Sequence, residues 1–253
     1  MNAVRDGVTF GPAIYLRRVL PRDSHGATSI RTRKGRFYTR PGDSDMDVLR
    51  QVFALREYDL RKFPQFRRVN DDYLDCVANG ETPVIVDAGA NIGAASVWLA
   101  EAFPKARIFA VEPDAENARL CRLNCAGRAN IEVVEAAIGS QPGRVTLARP
   151  DGQSWSIRTE RAETGETPIV TIPQLMERAG PDARLFIVKI DIEGFERDLF
   201  SEGTEWVSQP TVIFLELHDW LFPGKFSSAN AQRTMLAEKR EMLISGENLV
   251  FIR

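Results

Sequence analysis

The chain has 253 residues, 43% hydrophobic and 27% charged. At roughly 150 residues per domain, that is one full domain with an appendage, and the composition excludes wholesale disorder and a disulfide miniprotein. Against 35 Asp and Glu stand 33 Lys and Arg, a net charge of -2 that gives no case for a nucleic-acid partner.

The charge is nevertheless polarised, +8 over residues 1–70 and -10 over residues 71–253. No apolar run approaches the about 18 residues of a spanning helix, and Met1-Asn2-Ala3-Val4-Arg5-Asp6 leads into no signal-like stretch. A cytoplasmic protein with no membrane partner is expected. Cys76, Cys121 and Cys125 suit a reducing compartment. Cys121 and Cys125 lack the second Cys/His pair that a zinc site needs, which leaves them as core or surface thiols.

In chain order, Ser29 to Thr32, a turn at Arg33-Lys34-Gly35 and Arg36 to Thr39 predict a hairpin, broken by Pro41-Gly42. Asp43, Ser44 or Asp45 then caps a helix with Val48, Leu49, Val52 and Phe53 on one face. Asn70 caps another through Tyr73, Leu74 and Val77, stopped by Gly80. Residues 1–80 thus read as a helical and hairpin cap. Its basic residues, among them Arg31, Arg33, Lys34, Arg36, Arg40, Arg61, Lys62, Arg67 and Arg68, are expected to pack the cap on the acidic remainder or to join two protomers. A rival use is attraction of an anionic acceptor.

From residue 83, Val/Ile/Phe-rich runs at 83–87, 107–112, 131–138, 185–191 and 211–218 alternate with helical stretches at 94–103, 115–125, 172–179 and 196–200. Runs apolar on both faces are buried parallel strands, so residues 81–253 predict a doubly wound α/β domain. Strands at 144–148 and 169–171 flank a loop at 150–167, and 240–253 closes as an antiparallel hairpin.

The most informative stretch is Val84-Ile85-Val86-Asp87-Ala88-Gly89-Ala90-Asn91-Ile92-Gly93, a strand entering a Gly-rich turn and a helix. Gly89 and Gly93 allow close backbone approach, and Asp87 sits at the strand end where open α/β sheets bind ligands. Glu112, at the end of the next strand, suits the hydroxyls of a ribose. A nicotinamide cofactor is the natural rival, but its glycines fall at relative positions 1, 3 and 6, whereas Gly89 and Gly93 stand at 1 and 5 with Asn91 between. A ligand carrying an amino acid uses the Asp87 carboxylate for its ammonium group, and S-adenosylmethionine is that ligand.

Asp87-x-Gly89-x-Asn91-x-Gly93, Val111-Glu112-Pro113, the block Val188-Lys189-Ile190-Asp191-Ile192-Glu193-Gly194-Phe195-Glu196 and Leu215-Glu216-Leu217-His218 resemble, in order, the signatures of the FkbM family of S-adenosylmethionine-dependent methyltransferases. The resemblance spans residues 83–218, and Glu57-Tyr58-Asp59 is similar to what precedes the catalytic domain in many members. It implies a Rossmann-like class I methyltransferase fold, a mostly parallel seven-stranded sheet in the order 3-2-1-4-5-7-6. It also implies O-methylation of a hydroxyl on a sugar, glycan or other small natural product.

Methyl transfer needs alignment of acceptor oxygen, methyl carbon and sulfur, and removal of one proton. Lys189, Asp191 and Glu193 alternate along strand four and its exit, while Glu216 and His218 share one side of strand five. His218 is the expected general base, Asp191 the group that orients methionine or acceptor, and Lys189 a third catalytic candidate. Asp191, Glu193, Glu216 and His218 also offer donors to a divalent ion, but no metal-specific spacing is present, and no metal is assigned. Base methylation is disfavoured by the lack of an Asn/Asp-Pro-Pro-aromatic run and of a Pro-Cys nucleophile. Trp155, Trp220, Phe222 and Phe226 are candidates for an apolar or sugar-stacking wall. The alternative of another class is a non-catalytic S-adenosylmethionine- or nucleotide-binding protein that keeps the fold.

Overall fold

The computed structural model describes residues 2–12, 22–32, 35–148 and 158–253. Arg33 and Lys34 of the expected hairpin turn, and Trp155, lie outside them. The N-terminal segment supplies α1 (Asn2–Phe10), the hairpin β1 (Thr28–Thr32) and β2 (Gly35–Thr39), α2 (Asp45–Leu49) continued by a π-helical turn (Arg50–Leu55), and α3 (Phe66–Ala78). Next come β3 (Thr82–Ala88), α4 (Ala94–Ala102), β4 (Arg107–Val111), α5 (Ala115–Cys125) and β5 (Ile131–Val134). Four short strands follow, β6 (Ala137–Ile138), β7 (Gly143–Ala148), β8 (Arg158–Arg161) and β9 (Thr167–Val170). The chain ends with α6 (Ile172–Ala179), β10 (Ala183–Ile190), α7 (Glu196–Leu199), β11 (Val212–Glu216), α8 (Ala229–Ala237), β12 (Glu241–Ser245) and β13 (Asn248–Ile252).

The main sheet has the order β5-β4-β3-β10-β11-β13-β12, which reads 3-2-1-4-5-7-6 among those seven strands. It is mixed. The pairings from β5 across to β11 are parallel, whereas β13 pairs antiparallel with both β11 and β12.

Alternate residues of each strand fill two cores. Ile85, Ile108, Phe186 and Phe214 face α3, α4, α5 and the N-terminal segment, whose Phe10, Ile30, Phe37, Phe53, Tyr58 and Tyr73 belong to the same buried cluster. Val86, Phe109, Val188 and Ile213 face α6, α7 and α8. No linker sets residues 1–80 apart, because α3 turns into β3 through Gly80, at φ 78°. The segment's cations pair mostly with its own acids, Arg40 with Asp45, Arg50 with Asp6 and Asp47, and Arg61 with Asp59. Arg68 reaches Glu241 on β12, at 3.0 Å. Apolar burial therefore holds the cap, and the charge imbalance between the two halves contributes little to it.

Three local expectations are corrected, and one is narrowed. Helix α3 begins at Phe66 with Gln65 as its cap, so Asn70 lies inside it, because the buried face of Val69, Tyr73 and Cys76 starts a turn earlier. Of the three cap candidates for α2, Ser44 takes the position, and Asp45 is the buried partner of Arg40. The run 131–138 breaks where Ala136 N–H donates to the carbonyls of Glu112 and Val134, which sends β6 into a separate sheet of order β6-β9-β7-β8. The expected loop carries β8 in its described part. Among the described residues, no helix is long and apolar enough to cross a membrane.

Phe53 is 3% exposed and packs against Phe10, Phe37 and Trp98, with ring centroids 6.4, 5.2 and 5.9 Å away. Phe53→Ala is expected to cost about 3 to 5 kcal/mol and to lower one cooperative melt followed by both Trp fluorescence and circular dichroism. A circular-dichroism transition left at its wild-type temperature would show that the N-terminal segment is not part of the sheet's core.

Candidate functional site

Because β3, β10 and β11 run parallel, their C-terminal ends share one edge of the sheet, and Lys189 is in register with Asp87. Lys189, 3% exposed, donates to the Gly89 carbonyl and lies 3.2 Å from Asp87 and 3.4 Å from Asp191. Asp87 is fully buried and accepts from Ser96 Oγ at 2.6 Å. Neither residue lines the two cavities described below. Asp87, expected as an ammonium ligand, and Lys189, expected as a catalytic group, stand beside each other beneath the Gly-rich turn.

The glycines divide in the same way. Gly89, at φ 76°, lines the first cavity, and a Cβ there would stand 1.7 Å from the Asp191 carbonyl oxygen. Gly93, at φ 83°, is packed against Cys121 Sγ, which a Cβ would meet at 2.8 Å, and it lines neither cavity. Its missing side chain lets α5 approach the start of α4.

Two cavities meet at Asn91, Asp191 and Glu193. The first, of about 540 Å³ with its open mouth, lies between the Gly-rich turn, Glu112 and the small sheet, with Ile138, Thr159 and Phe195 on its wall. Glu112, 4% exposed, accepts from the backbone N–H of Asn91 at 2.8 Å and of Asp114 at 3.0 Å. Asn91 takes a left-handed conformation, φ 49°, and its Oδ1 is buried without a hydrogen-bond partner. The second, of about 1460 Å³ with its open mouth, is roofed by the π-helical turn and lined below by Glu216 and His218, with Trp220 at its edge. π-Helical turns recur at functional sites.

His218 lies just beyond β11, 1% exposed. Its Nδ1 is 2.8 Å from Glu196 Oε1, while Nε2 stands 3.5 Å from Asp191, 3.6 Å from Glu216 and 3.7 Å from Glu193. Glu196 is the partner that sequence reasoning missed. The available signal was its place in the Asp191-x-Glu193-Gly194-Phe195-Glu196 block, on the first turn of α7. Trp220 and Phe226 are exposed, at 64% and 75%, whereas Phe222 packs over Gly194.

A model of the methyltransferase FkbM domain matches residues 87–243. The chain is 27% identical over 155 residues to the 2-O-methyltransferase NoeI of Sinorhizobium fredii (strain NBRC 101917 / NGR234), across 54% of this chain and 64% of that protein. It thus spans less than two thirds of that relative's length. The O-methyltransferase of Bacillus cereus in complex with SAH is 13% identical with a TM-score of 0.40, over 97% of this chain and 99% of that one. Magnesium protoporphyrin IX methyltransferase of Synechocystis PCC 6803 with bound SAM is 11% identical with a TM-score of 0.38, over 100% and 96%.

The electrostatics of the cluster change the role of His218. Burial alone would depress its imidazole, but the hydrogen bond to Glu196 and the charges of Asp191, Glu196 and Glu193 outweigh it and push the pKa up to about 10. Its four carboxylate neighbours thus favour the imidazolium over the neutral ring expected of a general base. Burial, then the Asp191 charge, pushes Glu193 and Glu216 up to about 8. Burial also lifts Glu112 to about 7, against the opposing hydrogen bonds from Asp114 and Asn91. Burial opposes the ammonium of Lys189 too, yet Asp87 and Asp191 hold it well above the usual lysine range.

All these groups keep protons in the folded protein that the unfolded chain releases earlier. Their contribution to stability is full below the unfolded values and is lost as pH rises, from 4.5 towards 8 for Glu193 and Glu216 and from 6.5 towards 10 for His218. In chelator-containing buffer the melting temperature is expected to fall steadily between about pH 6 and pH 9.5. A flat or rising profile would contradict this charge assignment.

Proposed function

We propose, for a chain that belongs to the FkbM family of S-adenosylmethionine-dependent methyltransferases, that the first cavity holds the methyl donor and the second a hydroxyl-bearing acceptor, best matched by a sugar or glycan. The observation that carries this reading is the junction of the two cavities at Asn91, Asp191 and Glu193, with a ribose-type carboxylate on one side and a proton-accepting cluster on the other. Glu112 suits the ribose hydroxyls, and the unpartnered Asn91 Oδ1 and the Asp191 carboxylate suit the ammonium of a methionine.

When bound, S-adenosylmethionine supplies an electrophilic methyl carbon on a sulfonium. The chain has to direct one acceptor oxygen at it and remove the acceptor's proton. Asp191, which faces both cavities, orients the acceptor hydroxyl. Glu216, with a pKa near the working pH and a buried, unpartnered Oε2, takes the proton. His218, charged and anchored by Glu196, keeps the neighbouring carboxylates in place and acts as a positioning residue.

The second cavity also limits the acceptor. Asp6, Asp47, Glu57, Asp191, Glu193, Glu216 and Glu247 line it against Arg50 and His218, an excess of carboxyl groups, two of them protonated near neutrality, that suits neutral polyols and amino sugars better than anionic acceptors. The exposed indole of Trp220 offers a face for a sugar ring. The likeness to a 2-O-methyltransferase supports oxygen as the atom methylated.

Calorimetry is expected to show binding of S-adenosylmethionine and its demethylated product and none of NAD. Glu112→Ala should lose at least about 1 kcal/mol, the scale of a charge-assisted hydrogen bond. Unchanged affinity would remove Glu112 from the ribose site. With a deuterated methyl donor and a panel of neutral glycosides and amino sugars, mass spectrometry should detect a methyl ether. Glu216→Gln should slow its formation about 10²-fold while donor affinity stays within twofold. Normal turnover in that variant would exclude Glu216 as the base.

A further inference from the structure

We propose that Asp191, Glu193 and His218 form a site for a first-row divalent cation where the two cavities join. One ligand atom from each residue lies within 4.8 Å of the others. Nε2 of His218 is 3.5 Å from Asp191 Oδ1 and 3.7 Å from Glu193 Oε2, too long for hydrogen bonds. Atoms that share an ion at about 2.1 Å stand roughly 3.0 to 3.4 Å apart, so small side-chain rotations bring this set to coordination distance.

His218 supplies the observation that an acidic cluster alone would lack. Its side chain is 2% exposed, and Nδ1 is engaged by the fully buried Glu196. That leaves Nε2, which makes no hydrogen bond among the described residues, aimed at the Asp191 and Glu193 carboxylates. A carboxylate on one imidazole nitrogen is the arrangement that fixes the other nitrogen as a metal ligand. Glu193 Oε2 is likewise buried without a hydrogen-bond partner, on a residue in a left-handed conformation with φ 51°. Strained backbone of this kind concentrates at ligand sites.

Charge points the same way. Asp87, Asp191, Glu193, Glu196 and Glu216 surround only two cations, Lys189 and His218. Binding a dication requires the His218 imidazole to release its Nε2 proton, which the added positive charge favours. Two carboxylates and one imidazole, with no thiolate, suit a first-row dication better than Ca²⁺ or Mg²⁺, and Mn²⁺ is the member of that class that reports its own ligands by electron paramagnetic resonance.

Resting on the two-cavity reading, the ion would bind the acceptor hydroxyl and lower its pKa, leaving Glu216 to take the released proton. The binding itself does not depend on that reading. Chelator-treated protein titrated with MnCl₂ alone and followed by electron paramagnetic resonance should take up one Mn²⁺ per chain, with imidazole-nitrogen coupling. His218→Gln should abolish the coupling, and it and Glu193→Gln should each weaken binding at least about tenfold. If His218→Gln does not fold, Asp191→Asn and Glu193→Gln, both at partly exposed positions, carry the affinity test. Glu112→Ala should keep the Mn²⁺ while losing donor affinity. No uptake below about 1 mM, or uptake indifferent to these variants, overturns the ion site. Intact donor binding beside that result leaves the methyltransferase reading standing, and Mn²⁺ uptake without donor binding sinks the donor pocket alone.

Discussion

Lys189 carries a charged ammonium into the middle of a parallel sheet, and the site is organised around keeping it there. A buried cation is tolerated only when paired and hydrogen-bonded, and Asp87, Asp191 and the Gly89 carbonyl supply both. Those partners come from two adjacent strands in register, so the pairing of β3 with β10 and the position of the Gly-rich turn are one constraint. The turn can approach so closely only because residue 89 has no Cβ to strike the Asp191 carbonyl. Asp191, fixed in this way, stands at the boundary of both cavities.

The surrounding elements complete the cavities around the ion network. The small sheet, inserted between β5 and α6, provides Ile138 and Thr159 on the first wall, while Phe195 packs with its Val145 and Ile169. On the other side the N-terminal segment packs its aromatic residues into the sheet's core and so carries the π-helical turn over the second cavity. A segment that looked like an appendage thus supplies half of the second cavity's lining. Glu57 makes the link concrete: it accepts from Asn248 Nδ2 at 3.3 Å and lies where a Cβ on Gly246 would be, which ties the roof to the closing hairpin.

The strands were legible because runs such as Val84-Ile85-Val86 and Leu185-Phe186-Ile187-Val188 are apolar on both faces, which only a doubly covered sheet uses. The closing hairpin was legible from its Gly246 turn. The polar positions were readable as a set, since strand ends collect ligands, but their individual duties were not. Whether Asp87 faces a ligand or Lys189 depends on cross-strand register, and whether Gly93 serves a phosphate-like approach or a helix contact depends on Cys121 nearly thirty positions later. Glu196 escaped notice for the same reason, because its partner His218 arrives from another strand. The start of α3 was misplaced because Asn70 is a good cap in isolation, while tertiary burial of Val69 extends the helix back past it.

Charge shows why segment totals mislead. Residues 1–70 are strongly basic, which invites an anionic acceptor, yet what a cavity sees is the set of side chains that reach it, less those already neutralised. Arg40 and Arg61 are held by Asp45 and Asp59, away from the cleft, and Arg50 enters it already shared between Asp6 and Asp47. The same segment contributes Glu57 to the lining. Facing it, Glu193, Glu216 and Asp191 arrive from the acidic half with a single imidazolium among them. The basic segment therefore closes a cavity whose lining holds more carboxyl groups than cations, the reverse of what the segment's total charge suggests.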